Sequence, residues 1–86
     1  MKVKNKRTDR LEADDVYVGR PTKWGNPFII GRDGDRAEVI AKYEAWLRKR
    51  PTLLAEAKQH LRGKTLVCWC APNACHADVL IKLANE

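Results

Sequence analysis

The sequence predicts an α/β fold: a small single-domain sheet with at least one parallel strand pair, packed by three helices. Two observations lead there. Residues 16–18 and 65–70 are β-branched or continuously apolar, as strands are. Between and after them lie stretches with helical periodicity, and helical connections between buried strands favour parallel pairing. A third observation is length: 86 residues suit one domain with a small core.

Residues 1–13 form a basic N-terminal segment. Residues 2–7 alternate around Val3 and read as a short edge strand. Residues 8–14 are polar and read as loop. Val16-Tyr17-Val18 is the next strand, ended by Gly19. Gly25, Pro21 and Pro27 exclude a helix over 19–27. Phe28-Ile29-Ile30 reads as an edge strand or an extended packing segment, and Gly31-Arg32-Asp33-Gly34 as a turn.

Asp35 followed by Glu38 has the spacing of a capping box. Val39, Ile40, Tyr43, Trp46 and Leu47 then fall on one helical face, and Pro51 stops the helix. A second helix runs from about Pro51 to Arg62. Leu53, Leu54, Ala57 and Leu61 face inward, and Gly63 stands ready for a left-handed turn beyond the end. Residues 65–70 read as a strand buried on both faces, with Trp69 beneath a helix. Ala71-Pro72-Asn73-Ala74 turns the chain. A last helix spans about 74 to 85, with Asn73 as its N-cap.

Charge and cysteine usage narrow the function classes. Lys and Arg number 17 against 11 Asp and Glu, a formal charge of +6. Lys2, Lys4, Lys6, Arg7 and Arg10 crowd the start of the chain. Such a cluster either binds DNA phosphates or a host protein through a basic face, or protects an edge strand from pairing. No apolar run approaches the ~20 residues of a membrane helix. The basic start lacks the apolar stretch of a secretory signal, so the expected compartment is the cytoplasm. Three cysteines is an odd count, which argues against a disulfide scaffold.

Two stretches carry candidate chemistry. The first is Cys68-Trp69-Cys70-Ala71-Pro72-Asn73-Ala74-Cys75-His76. On a strand, Cys68 and Cys70 share a face. Cys75 and His76 fall in the first helical turn, where unpaired N–H groups and the helix dipole lower a thiol's pKa and attract anions. Three readings stand side by side. In one, Cys75 or Cys70 is an activated thiol and His76 a proton donor. In another, Cys68, Cys70, Cys75 and His76 hold a zinc ion, a ligand set zinc accepts although the spacing is uncommon. In the third these residues simply pack.

The second stretch is Gly19-Arg20-Pro21-Thr22-Lys23-Trp24-Gly25-Asn26-Pro27-Phe28. Arg20 and Lys23 suit phosphate contacts, Trp24 a stacking platform and Asn26 a polar-edge reader. The bland alternative is a loop pinned into the core by Trp24 and Phe28, with Arg20 paired to an acid. If 16–18 and 65–70 are parallel neighbours, both stretches leave the carboxyl end of the sheet, where open α/β sheets bind ligands. The 19–28 loop and the 70–76 helix start would then enclose a pocket for a nucleotide or other phosphate-bearing ligand, with nucleic acid as a wider partner class.

These same residues carry a resemblance. Val16-Tyr17-Val18-Gly19-Arg20-Pro21-x-Lys23-Trp24-Gly25-Asn26-Pro27-Phe28 and Leu66-Val67-Cys68-Trp69-Cys70-Ala71-Pro72-x-x-Cys75-His76-Ala77-Asp78-Val79-Leu80 resemble the domain-of-unknown-function 4326 family of phages and bacteria. The likeness runs from about residue 14 to 84 and implies an uncharacterised role. A more distant likeness is to an uncharacterised α/β family with an acidic residue at the place of Cys70. That implies Cys68, Cys75 and His76 as the shared candidates and weakens a three-cysteine requirement. The phage association implies, by analogy, nucleotide or nucleic-acid traffic.

Overall fold

The computed structural model describes residues 3–70 and 73–86. The expectations for Lys2 and for the Ala71-Pro72 part of the turn fall outside the described residues. Three strands, β1 (Val3–Asn5), β2 (Val16–Tyr17) and β3 (Leu66–Cys68), combine with three helices, α1 (Arg36–Arg48), α2 (Pro51–His60) and α3 (His76–Ala84).

The strands form one sheet in the order β1-β3-β2, and both pairings are parallel. Leu66, Val67 and Cys68 are all buried, as a central parallel strand requires. Val18 continues the β2 ladder through its amide, which donates to Val67 O at 2.9 Å. Lys4 of β1 is tied at 2.9 Å to Asp15, the residue before β2, so the pair joins the two strands that flank β3. The structure is therefore α/β with a parallel sheet and three helices, as the sequence predicts.

The third strand is shorter than its apolar run. Trp69 leaves the sheet and is 55 % exposed, not packed beneath a helix. Its indole donates to the Tyr17 hydroxyl at 2.9 Å. Phe28-Ile29-Ile30 is not a strand; it lies in a turn-rich loop.

Both long helices start and stop where local chemistry dictates. Asp35 accepts from the Glu38 amide at 2.9 Å and Glu38 returns a bond to the Asp35 amide at 3.0 Å, closing the capping box. Val39, Tyr43 and Leu47 are the buried stripe of α1. α2 opens on Pro51 and ends before Gly63, whose φ of 80° is the left-handed conformation glycine supplies.

The third helix holds the core together. His76, Ala77, Val79, Leu80, Leu83 and Ala84 are buried in only nine residues. This wide apolar face packs against β3, α1 and α2. Full burial of side chains such as Leu80 and Leu83 stabilises by about 1.5–3 kcal/mol each. Its N-cap is Cys75, two residues beyond the expected Asn73. Asp78 explains the shift: its carboxylate accepts from the Cys75 amide at 3.0 Å. The sequence carries that acid three residues after the cap, the position a capping box uses.

Candidate functional site

Parallel pairing brings three chain exits to one end of the sheet. β1 leads into Lys6, β2 into Gly19 and Arg20, and β3 into Trp69 and Cys70. A cleft of about 280 Å³ opens there. Its walls are the 19–30 loop, the start of α1 through Arg36, Val39 and Ile40, and residues 68–70 and 74–76. Among the described residues no carboxylate lines it.

On the loop wall, Gly25 lets the chain fold against Arg20: a Cβ there would sit 3.1 Å from the Arg20 backbone. The Arg20–Pro21 peptide is cis. Tyr17 donates its hydroxyl proton to Arg20 O at 3.0 Å while accepting the Trp69 indole. One hydroxyl thus links both walls. The Arg20 side chain is exposed at the cleft and its guanidinium makes no hydrogen bond or ion pair among the described residues. The acid partner of the bland reading is not there.

Other residues of the same loop are committed elsewhere. Lys23 reaches over to Glu56 on α2 and does not line the cleft. Trp24 is only 6 % exposed and belongs to the core, so it offers no stacking face; its carbonyl accepts from the buried Tyr43 hydroxyl at 2.7 Å. Asn26 lines the cleft, but its amide is used within the protein. Nδ2 donates to Val39 O at 3.2 Å and Oδ1 accepts from the Phe28 amide at 2.9 Å. These bonds fix the amide's orientation and use one of its two N–H donors and one of its two oxygen lone pairs.

On the opposite wall all three cysteines converge. Their sulfurs lie within 4.8 Å of one another, with Cys68 and Cys75 2.9 Å apart. No disulfide joins them. The turn that allows this is closed by the Asn73 amide, which donates to Cys70 O at 2.8 Å. The Cys75 thiol is not acidified by its place at the helix start. The Cys68 sulfur beside it and burial both push its pKa up, against a smaller opposing effect of the Ala77 amide.

His76 stands apart from that cluster. Its Nε2 is 2.7 Å from Val18 O, and a carbonyl only accepts, so Nε2 carries the proton. Its ring meets Tyr43 edge-on at 5.2 Å. Burial holds its pKa down, outweighing the Val18 carbonyl. A neutral ring with its one N–H spent on the backbone is a structural strut. Its Nε2–H is not available as a proton donor to the cleft, and its ring nitrogens fall outside the group of three sulfurs that lie within 4.8 Å of one another.

The placement of two cations was not foreseen from sequence. Arg36 lines the cleft and donates to Ala74 O at 3.1 Å, joining α1 to the cysteine turn. Lys6 lies 4.3 Å from the Tyr17 ring centre and 5.5 Å from that of Trp69. Only the strand order brings Lys6 to these aromatics. Elsewhere in the basic segment, Lys4 is paired with Asp15 and Arg10 lies 3.9 Å from Glu12.

The chain belongs to the domain of unknown function family DUF4326, whose model matches residues 1–86. It is 30 % identical over 101 aligned positions to the uncharacterized protein R718 of Acanthamoeba polyphaga mimivirus, covering 96 % of this chain and 76 % of the relative. It is 35 % identical over 76 positions to an uncharacterized 12.4 kDa protein from the nrdA-td intergenic region of Enterobacteria phage T4, covering 84 % of this chain and 68 % of that one. No solved structure matches the chain significantly. Among the described residues, no helix is long and apolar enough to cross a membrane.

Proposed function

We propose that this member of the family binds a small phosphate-bearing ligand of the mononucleotide class in the cleft at the carboxyl end of the sheet. The observation that carries the reading is the Arg20 guanidinium, exposed at a cleft without carboxylates and unbonded among the described residues. A fork of N–H donors in that state is suited to a phosphate group. Arg36 adds a second positive charge on the facing wall.

The rest of the lining favours a planar, partly apolar group beside the phosphate. Phe28, Ile29, Ile30, Val39 and Ile40 supply apolar surface, and the exposed Trp69 indole supplies a face for stacking. A cleft of about 280 Å³ is at the small end of ligand sites and suits one mononucleotide rather than a dinucleotide. Among the described residues, the His76 Nε2–H is spent on Val18 O, so this ring offers the cleft no proton.

Thermal unfolding with a panel of mononucleotides, the matching nucleosides and inorganic phosphate tests this. A bound mononucleotide at a hundredfold excess over its Kd stabilises by about 2.7 kcal/mol. The nucleoside should stabilise less. Arg20→Ala should leave the unliganded melting temperature in place and weaken nucleotide binding roughly tenfold or more, as loss of a charged hydrogen bond does. No stabilisation by any mononucleotide, or equal stabilisation of Arg20→Ala, overturns the reading.

A further inference from the structure

We infer that Cys68, Cys70 and Cys75 form a three-thiolate zinc site whose fourth coordination position opens into the cleft. Every cysteine of the chain takes part, although they come from a strand, the turn after it and the cap of α3. Packing alone gives no reason for that gathering, because a small apolar residue would fill a core position as well. Thiolates at this density select zinc among common divalent ions.

The distances can accommodate the ion. Zinc–sulfur bonds of about 2.3 Å at tetrahedral angles separate sulfurs by about 3.8 Å. All three sulfurs already lie within 4.8 Å of one another. Cys68 and Cys75 stand closer than that, at 2.9 Å, so the ion would spread this pair by about 0.9 Å. On binding, each thiol releases its proton to solvent and its sulfur takes up the metal bond. The supporting shell is in place: Asp78 holds the Cys75 backbone, and the Asn73 amide holds Cys70 O.

The fourth ligand is where this site departs from a structural zinc. Neither ring nitrogen of His76 joins the three sulfurs within 4.8 Å, and the bond from Nε2 to Val18 O holds the ring where it stands. All three cysteines line the cleft, so the remaining corner of the tetrahedron faces it. Three protein ligands and one exchangeable position is the arrangement of zinc sites that act on ligands, whereas structural sites are closed. An anion in the cleft would then meet Arg20 on one side and the ion on the other. This last step rests on the mononucleotide reading; the ion itself does not.

Cobalt(II) is the probe. Titrated into the reduced full chain, it should bind once per chain. It should show near-ultraviolet thiolate-to-cobalt charge transfer and visible bands of tetrahedral strength, both abolished by added zinc. Cys70→Ser changes the one half-exposed cysteine. Changes outside the ligand shell alone cost roughly 10–100-fold in metal affinity, so this variant should lose more while keeping its far-ultraviolet spectrum. His76→Gln should keep the cobalt bands, and free imidazole or inorganic phosphate should shift them. Absence of charge transfer in the reduced protein overturns the site. Loss of the bands in folded His76→Gln overturns the three-thiolate ligand set. Bands unmoved by imidazole and phosphate overturn the open position. Arg20→Ala separates the two proposals: it should weaken nucleotide binding and leave cobalt uptake unchanged. Cobalt binding without mononucleotide binding would sink the ligand reading alone.

Discussion

The two walls of the cleft use similar residue types in opposite ways. The loop over 19–28 looks like a binding loop, with two cations, an indole and an amide, yet most of these are bonded inside the protein. Lys23 goes to Glu56, Trp24 to the core, and Asn26 to Val39 and Phe28. Only Arg20 keeps an unbonded polar head. The facing segment looks like core, being continuously apolar from Leu66, yet it turns Trp69 and Cys70 outward. Residue type therefore says little about which wall meets a ligand. The bonds already made inside the protein say more.

Substitutions can break that contrast, and the largest effect belongs to a residue that looks functional and is not. Trp24→Ala should cost about 3–5 kcal/mol, the usual penalty for emptying a buried aromatic site. A domain this small has little to spare, so urea or thermal melts should show loss of the folded state rather than a selective binding defect. A Trp24→Ala protein that melts like the parent would mean the loop is not pinned by its indole.

Tyr17→Phe should act next most strongly. The lost hydroxyl unties Arg20 O from the Trp69 indole. Both groups can turn to water, so stability should fall by only about 1 kcal/mol. Ligand affinity should fall while cobalt uptake stays, because the cysteines do not touch this hydroxyl. A variant with unchanged affinity would show that the walls need no such link.

Lys23→Ala should do least. Its partnership with Glu56 is a surface ion pair, and such pairs contribute little. Phosphate affinity should match the parent within error in a direct titration. A drop like that of Arg20→Ala would place Lys23 in the site after all.

Much of the fold was legible because it rests on local rules. The Asp35–Glu38 box, Pro51, Gly63 and the apolar stripe of α1 each acted at the position the sequence marks. The parallel neighbours β2 and β3 followed from the intervening helices. What was not legible depended on partners far along the chain. Nothing local says that Trp69 will find the Tyr17 hydroxyl, that Val18 O will take the His76 proton, or that Lys6 will lie beside two aromatics. The helix-start argument for an acidic Cys75 thiol left out the Cys68 sulfur beside it, which pushes the pKa up. Arg36 went unnoticed since a cation in a first helical turn carries no signal in sequence; only its place beside Ala74 does.

Indole resonances read the contrast between the walls in a single titration. The three tryptophans each contribute one N–H signal, and they occupy different places: Trp24 in the core, Trp46 stacked on Tyr43, and Trp69 at the cleft. Adding a mononucleotide to ¹⁵N-labelled protein should move the Trp69 signal and the backbone amides of Gly19, Arg20 and Cys70, leaving Trp24 and Trp46 still. Shifts confined to the basic segment before residue 13, or a Trp69 signal that stays put at saturating nucleotide, would contradict the account.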